Sequence, residues 1–155
     1  MVIPRDRAAI DDTDKAIIEQ LQQDGRRPYT HNAPRVGLSE AAVRQRVQRL
    51  IDAGVMQIVA VTDPRSVGFN RQAMIGIKVE GDVIEAADAV AALTEVEYVV
   101  VTAGSLDLLV EVVVEDDDRL LELLNDKIRR IKGVRATESF IYLDIHKETY
   151  QWGTR

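Results

Sequence analysis

Apolar side chains at Ile10, Ile17, Ile18 and Leu21 share one side with Asp14, a helical spacing that predicts a first helix running through Gln23. Asp11 with Asp14 after it forms a capping-box pattern, with Asp in place of the usual Glu, and Gly25 is the expected stop. Arg26-Arg27-Pro28-Tyr29 reads as a connector. Thr30 is the expected N-cap of a short second helix ending at Gly37. Ser39 is the expected N-cap of a third helix ending at Gly54. In that third helix Val43, Val47, Leu50 and Ile51 form an apolar stripe. Ala41, Gln45, Gln48 and Arg49 lie opposite, with Arg44 on the shoulder. A short helix, a turn containing glycine and a longer helix give helix-turn-helix spacing.

Beyond Gly54 the periodicity changes. Val55 to Val61 is β-branched and strand-like, and Asp63-Pro64-Arg65-Ser66 is a turn. The domain boundary is placed there, dividing residues 1–62 from residues 63–155. Strands are expected at Gln72 to Val79, Val96 to Ala103, Leu108 to Val114 and Val134 to Ile145. Helices are expected at Val83 to Leu93, with Ala86, Ala87, Val90 and Leu93 inward, and at Asp116 to Ile131, with Leu120, Leu121, Leu124, Ile128 and Ile131 inward. The order βαββαβ predicts an α+β, ferredoxin-like sandwich with two helices on one face of an antiparallel sheet. Val99 to Val101 and Leu108 to Val114 are apolar on both faces, so the face without helices calls for a partner subunit's sheet.

Charge changes the picture. The 155-residue chain has a net charge of −6, which by itself argues against nucleic acid. The acidity is not evenly spread. Met1 to Asn70 carries 10 basic and 9 acidic residues, whereas Arg71 to Arg155 carries 10 and 17. Between Arg26 and Leu50 there are six arginines and one acid, Glu40. A compact basic patch therefore sits in the first part. Arginine pairs in bidentate fashion with guanine and glutamine with adenine, so Ala41, Arg44, Gln45, Gln48 and Arg49 are candidates to face a major groove. Arg26, Arg27 and Arg46 are candidates for phosphates, although Arg46 sits at the stripe's edge and can instead brace the domain through Asp14 or Asp24. The competing reading of the same face is a solvated basic helix in a protein–protein module.

Other classes find less support. There is no cysteine, which excludes disulfides and thiolate metal sites. Asp116-Asp117-Asp118 resembles a metal cluster but begins a helix, where capping explains the acids. His31 and His146 stand far apart with no nucleophile motif beside them, so neither enzyme activity nor a cofactor is expected. No apolar run is long enough to span a bilayer and Met1 to Arg7 lacks a signal peptide's apolar core. A cytoplasmic protein without a membrane role is expected.

Ile10-Asp11-Asp12-Thr13-Asp14, Gln22-Gln23-Asp24-Gly25-Arg26, and Val36-Gly37-Leu38-Ser39 followed by Val43, Arg46, Val47, Leu50, Gly54 and Val55 resemble the Lrp/AsnC family of bacterial and archaeal transcription regulators. Thr102 to Val110 resembles the family's Gly-x-x-Asp hairpin, and Gly133-Val134 with Thr137 and Ser139 its last strand. The resemblance implies a winged helix-turn-helix followed by a ligand-sensing RAM-type domain, with double-stranded DNA as partner. It implies homodimers through the C-terminal sheets, assembling to octamers, and an amino acid or related small effector bound between C-terminal domains. Ser39 and Glu40 join the DNA-facing candidates on this basis. Ala103, Gly104, Ser105, Asp107, Leu108, Thr137 and Ser139 become candidates for the effector. Asp107 has two readings, a turn residue and a partner for an α-ammonium group.

One segment departs from the family. Asn32 stands where a buried Leu or Ile is usual and Pro34 where a helix-favouring residue is usual. These predict a buried amide in need of partners and a second helix that is short, distorted or displaced. A rival from another class is a metabolite sensor that regulates an enzyme by protein contact without DNA, since βαββαβ folds host many functions.

Overall fold

The structure, a computed structural model, describes residues 9–155; Met1 to Arg7 lies outside them. The chain forms two compact units, one of residues up to Val61 together with Lys147–Arg155, the other Thr62–His146.

The first unit contains helices α1 (Asp12–Gln23), α2 (Tyr29–Val36) and α3 (Glu40–Asp52). Asp11 accepts from the Asp14 N–H at 2.8 Å and Asp14 returns the bond to the Asp11 N–H at 3.1 Å, so the capping box closes as expected. The helix stops at Asp24, whose backbone turns extended, rather than through Gly25. Pro28, not Thr30, precedes the first turn of α2, and no side chain caps it. The Pro28 carbonyl starts the helix by accepting from the His31 N–H at 2.9 Å. Gly37 then closes α2 in the left-handed region at φ 67°. Ser39 Oγ accepts from the Ala42 N–H at 3.2 Å and starts α3. Ile17, Leu21, Ala33, Val43 and Val47 form the core of this unit. Each fully buried aliphatic side chain of this kind contributes roughly 1.5–3 kcal/mol.

The expected strand at Val55 to Val61 is not formed, and the segment has no regular structure. Its β-branched residues favour extended backbone, but a strand needs a neighbour for its hydrogen bonds, and among the described residues none pairs with it. Val59 and Val61 are accordingly exposed. The tail Lys147–Arg155 groups with the helices, not with the sheet that precedes it in sequence. The Gly153 N–H donates to Gln22 Oε1 at 3.0 Å, and Thr154 Oγ1 donates to Glu19 Oε1 at 2.5 Å.

The second unit is an antiparallel sheet in the order β2-β3-β1-β4, built from β1 (Arg71–Val79), β2 (Val96–Val101), β3 (Leu108–Val114) and β4 (Val134–Ile141). β4 ends at Ile141, short of the expected Ile145. Helix α4 (Val83–Ala91) buries Ala86, Ala87 and Val90, as the spacing predicts. Helix α5 (Asp117–Glu122) is shorter than expected, continuing as a π turn over Leu123–Lys127 and a 3-10 turn over Ile128–Arg130. Leu120, Leu123 and Leu124 are buried at ordinary helical spacing, whereas Leu121, expected inward, is 57% exposed.

Directly paired residues of an antiparallel sheet point to the same side. Ala73, Ile75 and Ile77 of β1 face the helices together with Leu108, Val110 and Val112 of β3, and all are fully buried. The opposite face presents a row across the whole sheet, Tyr98–Glu111–Met74–Phe140. Tyr98 is 49% and Phe140 47% exposed, so this unit leaves an aromatic-bearing face open.

Candidate nucleic-acid interface and effector turn

Helix α3 buries Val43, Val47 and Leu50 against the unit's core, and this fixes which side chains turn outward. Ala41, Arg44, Gln45, Gln48, Arg49 and Asp52 line a shallow groove of about 570 Å³. Arg44 Nη2 donates to Glu40 Oε1 at 2.7 Å, and its guanidinium lies over the Tyr29 ring, 5.3 Å from the centroid. Tyr29 of α2 thus orients an arginine of α3 by a cation–π contact. Gln48 donates to Asp52 Oδ1 at 2.8 Å. Ser39, Glu40, Ala41 and Gln45 are exposed at or near the helix start. Arg26 and Arg27 lie in the connector ahead of α2; Arg26 is exposed, whereas Arg27 is half-buried with Nη1 unpartnered.

Arg46 and Arg49 are engaged as well, with acids outside α3. Arg46 Nη1 donates to Asp11 Oδ2 at 2.7 Å and to Asp14 Oδ1 at 2.8 Å. Arg49 Nη2 donates to Asp14 Oδ2 at 2.5 Å. Of the two acids considered for Arg46, Asp14 is the one it reaches. Burial pushes the Asp14 carboxyl up, but the Arg46 and Arg49 hydrogen bonds outweigh it and hold the group below its ordinary value. Asp11 is held down first by Arg46, and Arg46 is in turn raised by Asp11 and Asp14. Sequence reasoning treated Arg49 as wholly outward because periodicity assigns a face, whereas a long side chain can fold back across it. The available signal was Asp14 itself, an acid on the apolar side of α1 that demands cations.

The departure in α2 has a concrete form. Asn32 is fully buried, and neither its Nδ2 nor its Oδ1 has a hydrogen-bond partner. Pro34 lies inside the helix, which nevertheless keeps eight residues.

In the second unit the turn between β2 and β3 is tied down by its own backbone. Thr102 N–H donates to the Asp107 carbonyl at 2.9 Å, Asp107 N–H donates to the Ile77 carbonyl at 2.9 Å, and Thr102 Oγ1 donates to the Leu106 carbonyl at 2.7 Å. Asp107 Oδ2 accepts from the Val79 N–H at 2.8 Å and meets Lys78 Nζ at 3.3 Å. The Val79 N–H holds this carboxyl below its ordinary value, burial opposes the shift, and Lys78 adds to it. Asp107 therefore has a structural duty: it seals the end of β1 at the Lys78/Val79 bulge. Ala103, Gly104 and Ser105 are exposed, whereas Leu108 is fully buried and its side chain belongs to the core.

Thr137 pairs with Ile77 and Ser139 with Ile75, so both hydroxyls project to the helix-covered side of the edge strand. Arg129 Nε donates to Thr137 Oγ1 at 3.1 Å from that side. Asp107 reaches Lys78, a residue of the open face. Asp107 and Thr137 thus flank the same end of β1, one on the open face and the other on the helix-covered face.

Asp116 caps α5 by accepting from the Arg119 N–H at 2.9 Å, and Asp117 pairs with Arg71. Among the described residues no cluster of three or more His, Cys, Asp or Glu could hold a metal, and no helix is long and apolar enough to cross a membrane.

Comparison with known proteins covers both units. Residues 10–51 match the AsnC-type helix-turn-helix domain, and residues 69–155 match a C-terminal dimeric alpha+beta barrel domain of AsnC-type regulators. The HTH-type transcriptional regulator FL11 of Pyrococcus furiosus is 37% identical over 92% of this chain and 95% of its own length. Among solved structures, Escherichia coli AsnC superposes with a TM-score of 0.75 at 26% identity, covering 91% of this chain and 97% of that one. A transcriptional regulator from Neisseria meningitidis in complex with L-Met superposes with a TM-score of 0.77 at 28% identity, covering 92% of this chain and 96% of that one.

Proposed function

The chain belongs to the Lrp/AsnC family of transcription regulators, and from that premise we propose that it regulates transcription by inserting α3 into the major groove of an operator, under control of an amino acid. The observation that carries the reading is the outward surface of α3, where Ala41, Arg44, Gln45 and Gln48 sit side by side over a buried apolar stripe. Arg44 and Gln45 supply base-edge hydrogen bonds, and Ala41 gives the helix room to approach. Ser39, Arg26 and Arg27 serve phosphates at the mouth of the groove. Paired helices from a homodimer would meet successive major grooves of a near-palindromic site.

The dimer forms through the open sheet face, where Tyr98, Met74 and Phe140 need cover. Dimers assemble further, to octamers, and the effector site lies between C-terminal units. The turn at Ala103, Gly104, Ser105 and Asp107 comes from one protomer and Thr137 with Ser139 from another, in keeping with their places on opposite faces of the sheet. The L-Met complex of the Neisseria relative makes an amino acid the first ligand class to test. The effector biases assembly, and assembly sets the effective concentration of linked DNA modules. On this reading the protein is a regulator and not an enzyme.

The test is fluorescence anisotropy on a labelled duplex from upstream of the protein's own gene, with size-exclusion chromatography alongside. Arg44→Ala combined with Gln45→Ala is expected to abolish preference for that duplex over random DNA and to leave the oligomer size unchanged. Unaltered preference in the double variant refutes the assignment of α3.

A further inference from the structure

Asp14 has a side chain only 1% exposed, yet it is surrounded by hydrogen bonds drawn from two helices. Its Oδ1 accepts from Arg46 and its Oδ2 from Arg49 and from the Asp11 N–H. A buried carboxylate left without cations is costly, so Asp14 holds both arginines to it. The two arginines differ in what remains. Arg46 is 30% exposed, and its Nη1 is shared between two acids. Arg49 is 54% exposed and gives only Nη2 to Asp14, while a guanidinium carries five N–H donors. The outer part of Arg49 borders the same groove as Gln45 and Gln48.

We propose that Asp14 is a positioning residue of the DNA interface: its buried carboxylate holds Arg49 pre-set to grip a phosphate beside the groove, while Arg46 is the anchor that fixes α3 to α1 and stays off the DNA. The proposal rests on α3 being the recognition helix. A free arginine must give up rotamer freedom when it meets a phosphate, and one already held by Asp14 has given it up on folding. The arrangement also makes an unusual demand of sign. Asp14 carries negative charge close to a surface meant for phosphates. If charge alone mattered, removing it would tighten DNA binding. If Asp14 acts by holding Arg49, removing it loosens binding.

Anisotropy titrations of the full chain on the upstream duplex across a range of salt concentrations separate these outcomes. Arg49→Ala is expected to weaken binding roughly tenfold at low salt, as for a lost charged hydrogen bond. It should also reduce the salt slope by about 0.9 for each protomer engaged. Asp14→Asn is expected to weaken binding several-fold although it removes a negative charge. Adding Arg49→Ala to Asp14→Asn should cost little more, since the two act as one unit. Tighter binding by Asp14→Asn, or an equal Arg49→Ala loss in both backgrounds, overturns the proposal. If circular dichroism finds Asp14→Asn unfolded, Arg49→Lys decides, because Arg49 is half-exposed and its replacement spares the core. Lysine keeps the charge but not the fork, and recovery of the full wild-type affinity overturns the proposal. Wild-type protein that binds no DNA defeats the underlying reading of α3; steep wild-type salt dependence with an indifferent Arg49→Ala defeats only the role of Asp14.

Discussion

Replacing Asn32 by leucine is expected to stabilise the helical unit. The amide is fully buried in α2, next in sequence to Ala33 of the core, and neither its Nδ2 nor its Oδ1 has a partner. An amide in that condition costs about 1–3 kcal/mol. Leucine removes the cost and adds transfer energy, while refitting a branched side chain into a packed site takes back about 1 kcal/mol. A net gain of about 1–2 kcal/mol follows. In a unit of this size each kcal/mol moves the melting temperature by about 4–8 °C. Urea unfolding followed by far-UV circular dichroism is the assay, with the gain read as a higher midpoint at an unchanged slope. Because Asn32 is not on the outward face of α3, DNA affinity should hold within about twofold, well below the tenfold that 1.4 kcal/mol represents. A midpoint that falls or stays put would mean that the amide is satisfied in solution and costs the fold nothing. Asn32→Asp supplies the opposite sign, since a carboxylate there would be buried without a cation.

Other consequences follow from named contacts. Asp14 titrates below its ordinary value when folded, so its contribution to stability is fully present above about pH 4, where the unfolded carboxyl ionises. That contribution is lost as pH falls through the lower folded value. Urea midpoints measured from neutral pH downward should show an acid limb that is diminished in Asp14→Asn, and identical limbs would contradict the linkage. Gly133 sits at φ 89°, and a Cβ there would lie 2.9 Å from the Glu80 carbonyl oxygen. Gly133→Ala should therefore destabilise the sheet unit by more than about 1 kcal/mol, measured by thermal unfolding. Asp107→Ala removes the cap on the Val79 N–H and one wall of the proposed effector site. It is expected to lower the melting temperature and to abolish the thermal shift that an amino-acid effector gives the wild type. A retained shift would assign Asp107 to the turn alone.

How far the sequence carried the structure depended on the range of the interactions involved. The α1 capping box, the Ser39 cap and the buried stripe of α3 rest on residues within a turn or two of one another, and all were legible. The buried side of α4 was legible for the same reason. The inward side of α5 was read only in part, because Leu120 and Leu121 are adjacent apolar residues and only packing decides that Leu120 with Leu123 and Leu124 turns inward. Val55 to Val61 has strand chemistry, but a strand is a property of a pair, and its composition cannot name a neighbour. At the candidate DNA surface the outward set could be read from periodicity. The capture of Arg49 by Asp14, across 35 positions, could not. Asn32 stood out in the sequence as a polar residue at an apolar position, and it is buried as that position requires. For the effector turn, Gly104 and Asp107 marked a hairpin, but the bond from the Val79 N–H to Asp107 depends on the bulge in β1, a feature of strand register that no local pattern announces.

If the outward face of α3 meets DNA, wild-type binding to the upstream duplex must depend steeply on salt. Log affinity should fall linearly with log salt concentration, with a slope of about 0.9 per phosphate contacted, and the slope should be unchanged by Gln45→Ala, which removes a base-edge contact and no charge. Binding that is absent at low salt, or that ignores salt, would contradict the placing of α3 on DNA.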